Sequence, residues 1–83
     1  MGLRLKQGWT VGKNGNYNSK SFDWIFKVGE DWQYAYVLLV NSKIVAYPHG
    51  LNSFPDHFEF NSIEEAHAYL ISVGSESPWE EVC

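Results

Sequence analysis

The side chains of this sequence that could do chemistry are few: His49, His57 and His67, Asp56 beside His57, and Cys83 at the last position. Metal binding or hydrolysis needs ligands or acid–base partners that converge on one point and are held there by a further layer of contacts. Asp56 and His57 are adjacent, and adjacent side chains on a strand leave opposite faces, which is poor chelating geometry. His67 falls on the flank of an apolar helical stripe, where a partly buried imidazole needs no ligand. A nucleophilic thiol needs a held base and a lowered pKa, and no spacing supplies either to Cys83. No catalytic residue, cofactor or metal ligand set is therefore expected, and the chain reads as a non-enzyme. A small hydrolase or metal protein built on His49, His57 and Asp56 is the weakest of the alternatives.

Nucleic acid offers a second kind of chemistry. Gly12-Lys13-Asn14-Gly15 has the G-x-x-G spacing with which some RNA-binding folds clamp phosphates, but that loop needs flanking helices and the chain around it reads as strands. Glycine supplying positive φ in a flexible connection is the simpler reading. The stretch Ser21–Val40, SFDWIFKVGEDWQYAYVLLV, is rich in aromatics at alternating positions, and bases stack on sheet aromatics. Such sites also need a basic groove. Net charge here is −4, and Asp23, Glu30 and Asp31 interrupt the hairpin. Direct nucleic-acid binding through these aromatics with Lys13, Lys20 and Lys27 is accordingly a runner-up.

These residues are positioned by short elements. Leu3 to Val11 is a weak strand candidate, and Gly12 to Lys20 (GKNGNYNSK) reads as a polar loop. Phe22, Trp24, Phe26 and Val28 alternate with Asp23, Ile25 and Lys27, a strand signal. After Gly29-Glu30-Asp31, Trp32 to Val40 forms a second strand, apolar on both parities. A register with Phe26 opposite Tyr34, Trp24 opposite Tyr36 and Phe22 opposite Leu38 gathers the aromatics into one ladder. Asn41-Ser42 turns into a strand over Lys43–Tyr47, and Asp56–Phe60 is a further short one. Ser62-Ile63-Glu64-Glu65 is a capping box for a helix over about 63–73, closed by Gly74. Ile63, Ala66, Leu70 and Val73 form its stripe, with His67, Ile71 and Tyr69 on the flanks. The expected fold is α+β: a small antiparallel meander of 3–5 strands with one C-terminal helix on one face, a single domain over 1–83. Residues 75–83 (SESPWEEVC) read as an acidic tail.

Eighty-three residues hold one modest core, so large aromatics bury area efficiently, and a partner or a second copy in a homodimer would add to it. A single cysteine, no apolar run of signal-peptide length and none of bilayer length point to a cytoplasmic protein with no membrane contact. Charge is uneven. All six basic residues lie in the first 43 positions against three acidic ones, giving +3; the other 40 positions hold seven acidic residues and no Lys or Arg, giving −7. Folding either intermixes these charges or gathers the acids into a face for a basic partner.

Protein–protein contact is the function class that asks least of the sequence, since Trp and Tyr dominate interface hot spots. The candidate contact residues are Trp24, Phe26, Trp32, Tyr34, Tyr36 and Trp79 as apolar anchors, with Asp56, Glu59, Glu64, Glu65, Glu76, Glu80 and Glu81 facing a basic surface. In size, acidity and lack of catalytic equipment the chain resembles small phage- or plasmid-encoded proteins that inhibit a host machine, anti-CRISPR inhibitors among them. The resemblance is one of class and implies blockade of a defence or nucleic-acid-processing complex by protein contact, the carboxylates standing in for phosphates. Whether the aromatics can serve depends on which sheet face the helix covers.

Overall fold

The computed structural model describes residues 2–17, 20–29, 37–48, 50 and 57–82. Its elements are β1 (Gly2–Leu5), β2 (Trp9–Tyr17), β3 (Lys20–Lys27), β4 (Val37–Val40), β5 (Lys43–Ala46), β6 (Phe58–Phe60), α1 (Ile63–Ser72) and β7 (Trp79–Val82). Strands β2 to β6 form a five-stranded antiparallel sheet in sequence order, a meander, while β1 and β7 pair antiparallel as a separate ribbon. The protein is thus the α+β meander with one packed helix that the periodicities predict.

Three local expectations change. Leu3 to Val11 is two strands in different sheets, because Gly8 (φ +95°) turns the chain between them. Gly12 to Lys20 is largely strand: β2 continues through Tyr17, with a bulge between Gly12 and Gly15 in which Asn14 takes φ +61°. Glycine and asparagine do mark a break there, but the break is a bulge that bends the ladder without ending it. The segment 75–83 is not a free tail, since its Trp79–Val82 closes the ribbon on β1.

The register between β3 and β4 also differs. Trp24 lies opposite Leu38 and Ile25 opposite Val37, two residues away from the pairing of Phe22 with Leu38. A slip of two preserves parity, so the same residues still share a face. The partners Tyr34 and Tyr36, like the rest of residues 30–36, lie outside the described residues. From β4 to β5 the turn is as expected, with Asn41 (φ +48°) and Ser42 (φ +66°) both left-handed, as a two-residue hairpin of the primed type requires.

Helix α1 starts where Ser62 predicts. Ser62 is extended (φ −147°, ψ 158°) and its Oγ accepts from the backbone N–H of Glu65 at 3.2 Å. The Glu65 carboxylate reaches back to the N–H of Asn61 at 3.1 Å, one residue before the position a standard capping box would use. At the other end Gly74 (φ +73°) donates to Ile71 O at 3.1 Å and Ser75 to Leu70 O at 2.9 Å, the two bonds of a Schellman exit. Only Ala66 and Leu70 of the predicted stripe are buried; Ile63, Ile71 and Val73 stay on the surface. The helix meets β5 and β6 at one side of the sheet, so a narrow strip of it suffices.

The core gathers Trp9, Ile25, Val37, Ile44, Ala46, Ala66, Leu70 and Trp79, with Leu3, Leu5, Val11, Leu39 and Phe60 packed against it. Cross-strand pairs place Val11, Ile25, Val37 and Ala46 in one row and Leu39, Ile44 and Phe60 in the next, all of one sheet parity. That aliphatic parity is the face the helix covers. The ribbon closes the same core: Lys6 N–H donates to Pro78 O at 2.9 Å, and Trp79 is 3% exposed.

Candidate functional site

With the aliphatic parity under the helix, Phe22, Trp24 and Phe26 stand on the opposite face of the sheet, in line with Leu38 and Val45 across β4 and β5. Strand alternation alone puts the three rings side by side. Trp24 meets Phe22 edge to face (centroids 6.0 Å, 66°) and stacks on Phe26 (6.0 Å, 23°). Both arrangements suit ring quadrupoles and fix the rings against one another. All three are partly buried.

The floor under this row is glycine. A Cβ on Gly12 would lie 2.4 Å from the Trp24 indole, and one on Gly15 would lie 2.7 Å from Phe22 and 2.9 Å from Trp24. The two glycines therefore let the rings lie down on β2. The sequence marks Gly12 and Gly15 as loop formers; their packing role was visible only as two glycines flanking a bulge opposite two alternating aromatics. Trp24 Nε1 is buried and has no hydrogen-bond partner among the described residues, a state native proteins seldom leave unexplained.

Among the described residues, the charges near the row and on the neighbouring parity of β3 are paired. Lys43 and Glu59 share this face and pair at 3.7 Å. At the hairpin end Asp23 accepts from Lys13 Nζ at 3.1 Å and from the Asn14 backbone N–H at 3.2 Å. The Lys13 ammonium first, and then the Asn14 N–H, hold the Asp23 carboxyl below the usual carboxylate range.

The expected contact residues are thus divided. Trp24 and Phe26 lie on one face with Phe22 and Leu38, which the sequence places in the same ladder but not among the contact residues. Trp32, Tyr34, Tyr36 and Asp56 lie outside the described residues. Trp79 is a correction: it is core, because the ribbon buries it between the sheet and β1, and it cannot anchor a partner. The described acids are spread over β6, α1, the segment after it and β7. Glu59 is beside the aromatic row, Glu64 and Glu65 are at the start of α1, Glu76 pairs with Lys27 at 2.8 Å, and Glu80 pairs with Arg4 at 3.0 Å, while Glu81 lies near Glu64. Folding intermixes the positive and negative parts of the chain through Arg4–Glu80, Lys27–Glu76 and Lys43–Glu59.

Among the titratable candidates, His57 is exposed with its ring 5.7 Å from Tyr47, and His67 Nδ1 lies 2.6 Å from the Oγ of buried Ser77. His49 and Cys83 lie outside the described residues. Among the described residues no group of three or more His, Cys, Asp or Glu side chains is placed to hold a metal ion. No helix is long and apolar enough to cross a membrane. Comparison with protein-family models, with curated proteins and with solved structures gives no match, so the geometry of the chain itself is what bears on its role.

Proposed function

We propose that the protein is a non-enzymatic binding module that holds another protein against the aromatic face of its sheet. One observation carries this reading: the helix covers the aliphatic parity, which leaves Phe22, Trp24 and Phe26 in a row on the face that the helix does not cover, each ring partly exposed. Flat, mutually braced aromatics lose little side-chain freedom on binding and are the residue types that dominate hot spots. Phe22, Trp24, Phe26 and Leu38 form the contact, with the Lys43–Glu59 pair at its rim.

The cation described on this face, Lys43, is paired with Glu59, which favours protein over nucleic acid, since the latter calls for unpaired cations beside the rings. Inhibition of a host nucleic-acid-processing complex, as in the anti-CRISPR class, is one use of such a contact; its support is size and acidity. Affinity capture from the native cell with the parent and with Trp24→Ala tests the proposal. A specific partner held by the parent and lost by the folded variant is expected. A partner held equally by both, or oligonucleotide binding that weakens steeply with salt, would overturn it.

A further inference from the structure

On the helix side, away from the aromatic row, an open cleft of about 360 Å3 separates α1 from the β1–β7 ribbon. Leu3, Ala68 and Val82 are its apolar walls, and Glu64, His67 and Glu81 its polar groups. Glu81 lies directly across the ribbon from Leu3, as Trp79 lies across from Leu5. It therefore occupies the parity that elsewhere on the ribbon carries Leu3, Leu5 and Trp79 into the core. Unlike them it is exposed, at the edge of the cleft.

Glu64 and Glu81 also differ from three other acids of the second half in charge. Glu59, Glu76 and Glu80 each have a Lys or Arg partner, whereas Glu64 and Glu81 have none among the described residues. His67 adds a fixed polar group. The Oγ of Ser77, which is fully buried, accepts the Trp79 backbone N–H at 3.2 Å and lies 2.6 Å from His67 Nδ1. Donation of the hydroxyl proton to Nδ1 satisfies that buried group and leaves the ring's other nitrogen, Nε2, as an N–H donor. One turn further along the helix, on the face that carries Glu64, His67 and Ala68, Ile71 is 55% exposed.

We propose that this cleft takes an arginine side chain and the adjoining main chain from a basic protein segment. The guanidinium sits between the Glu64 and Glu81 carboxylates, and its aliphatic stem lies along Leu3, Ala68 and Val82. The His67 Nε2–H donates to a main-chain carbonyl of the segment, and an aliphatic neighbour of the arginine rests on Ile71. A planar fork of donors serves two separate carboxylates better than the point charge of a lysine. Apolar walls make the match more than an attraction of opposite charges, because they raise the strength of each polar contact they shield. The site does not depend on the aromatic face, which is on the other side of the sheet.

The test is an NMR titration of the isotope-labelled protein with an octapeptide of alternating leucine and arginine. Saturable shifts at the amides of Gly2, Ala68 and Val82 and in the first turns of α1 are expected. Glu64→Gln with Glu81→Gln should weaken binding by about tenfold or more, as loss of a charge-assisted fork does. Glu59→Gln, remote from the cleft, should bind as the parent does. Replacing the peptide's arginines by lysine should weaken binding several-fold, and His67→Phe should weaken it while leaving its arginine preference intact. Trp24→Ala should bind the peptide unchanged, which separates this site from the aromatic contact. Shifts that never saturate and follow every surface carboxylate, or a Glu64/Glu81 double variant that binds like the parent, would overturn the proposal.

Discussion

Trp24 and Ile25 are neighbours on β3, yet they belong to different environments. Ile25 is 3% exposed and sits among Val37, Ala66 and Leu70, while Trp24 lies flat on Gly12 on the side away from the helix. The sheet thus has one face built by long-range packing and one built by neighbours in the same hairpin. Beneath the helix, aliphatic side chains from four strands, α1 and the ribbon interlock. On the other face the rings brace one another along a single strand, and two glycines make room for them. Size does not decide which residue is core: the smaller Ile25 is enclosed, and the larger Trp24 remains available.

That difference can be broken by substitution. Ile25→Ala should cost about 2–5 kcal/mol of folding stability, because it leaves a cavity in a close-packed cluster. Trp24→Ala should cost clearly less in denaturant unfolding, although it removes more atoms. Equal midpoints for the two variants would mean that the aromatic face is core as well, and the proposed contact surface would go with it.

Gly12→Ala attacks the second face from below. Its Cβ would meet the Trp24 indole at 2.4 Å and must displace it, at about 1–3 kcal/mol for an overpacked site. The near-ultraviolet circular dichroism of the stacked rings should change while the helix signal stays. An unaltered aromatic spectrum would show that the indole does not rest on Gly12.

Ser62→Ala acts on the helix that divides the two faces. Loss of the bond from the Glu65 N–H should lower stability by about 1 kcal/mol, read as a shifted denaturation midpoint. The smallest effect belongs to the exposed hairpin end. Asp23 has its pKa lowered by Lys13 and Asn14, so its favourable contribution is present above the unfolded carboxylate pKa and is lost as pH falls through the lower folded value. A carbon-detected titration should place its midpoint below the usual carboxylate range, and Lys13→Ala should return it upward. No change on that substitution would remove the ion pair from the account.

The readable parts of the fold were those with a local cause. Alternation in Phe22–Lys27, the Asn41-Ser42 turn, the Ser62 cap and the Gly74 exit each depend on a few neighbouring residues, and each is present where the sequence places it. Gly12 to Lys20 reads as a loop because glycine and asparagine mark a bulge and a loop alike, and only the pairing with β3 distinguishes them. The candidate site was half legible for a related reason. Parity groups Phe22, Trp24 and Phe26, but Gly12 and Gly15 join them only once β2 lies alongside β3.

Trp79 shows the remaining limit most clearly. In the sequence it stands among Glu76, Glu80 and Glu81 and looks like an exposed anchor; in the fold, pairing of β7 with β1 carries it into the core. The sequence by itself determined which residues share a face, because strand parity and helix caps are settled within a few residues. Only the tertiary structure decided which face is covered. That choice depends on where α1 crosses the sheet and on a ribbon joining residues near opposite ends of the chain, and contacts of such sequence separation leave no periodicity to read.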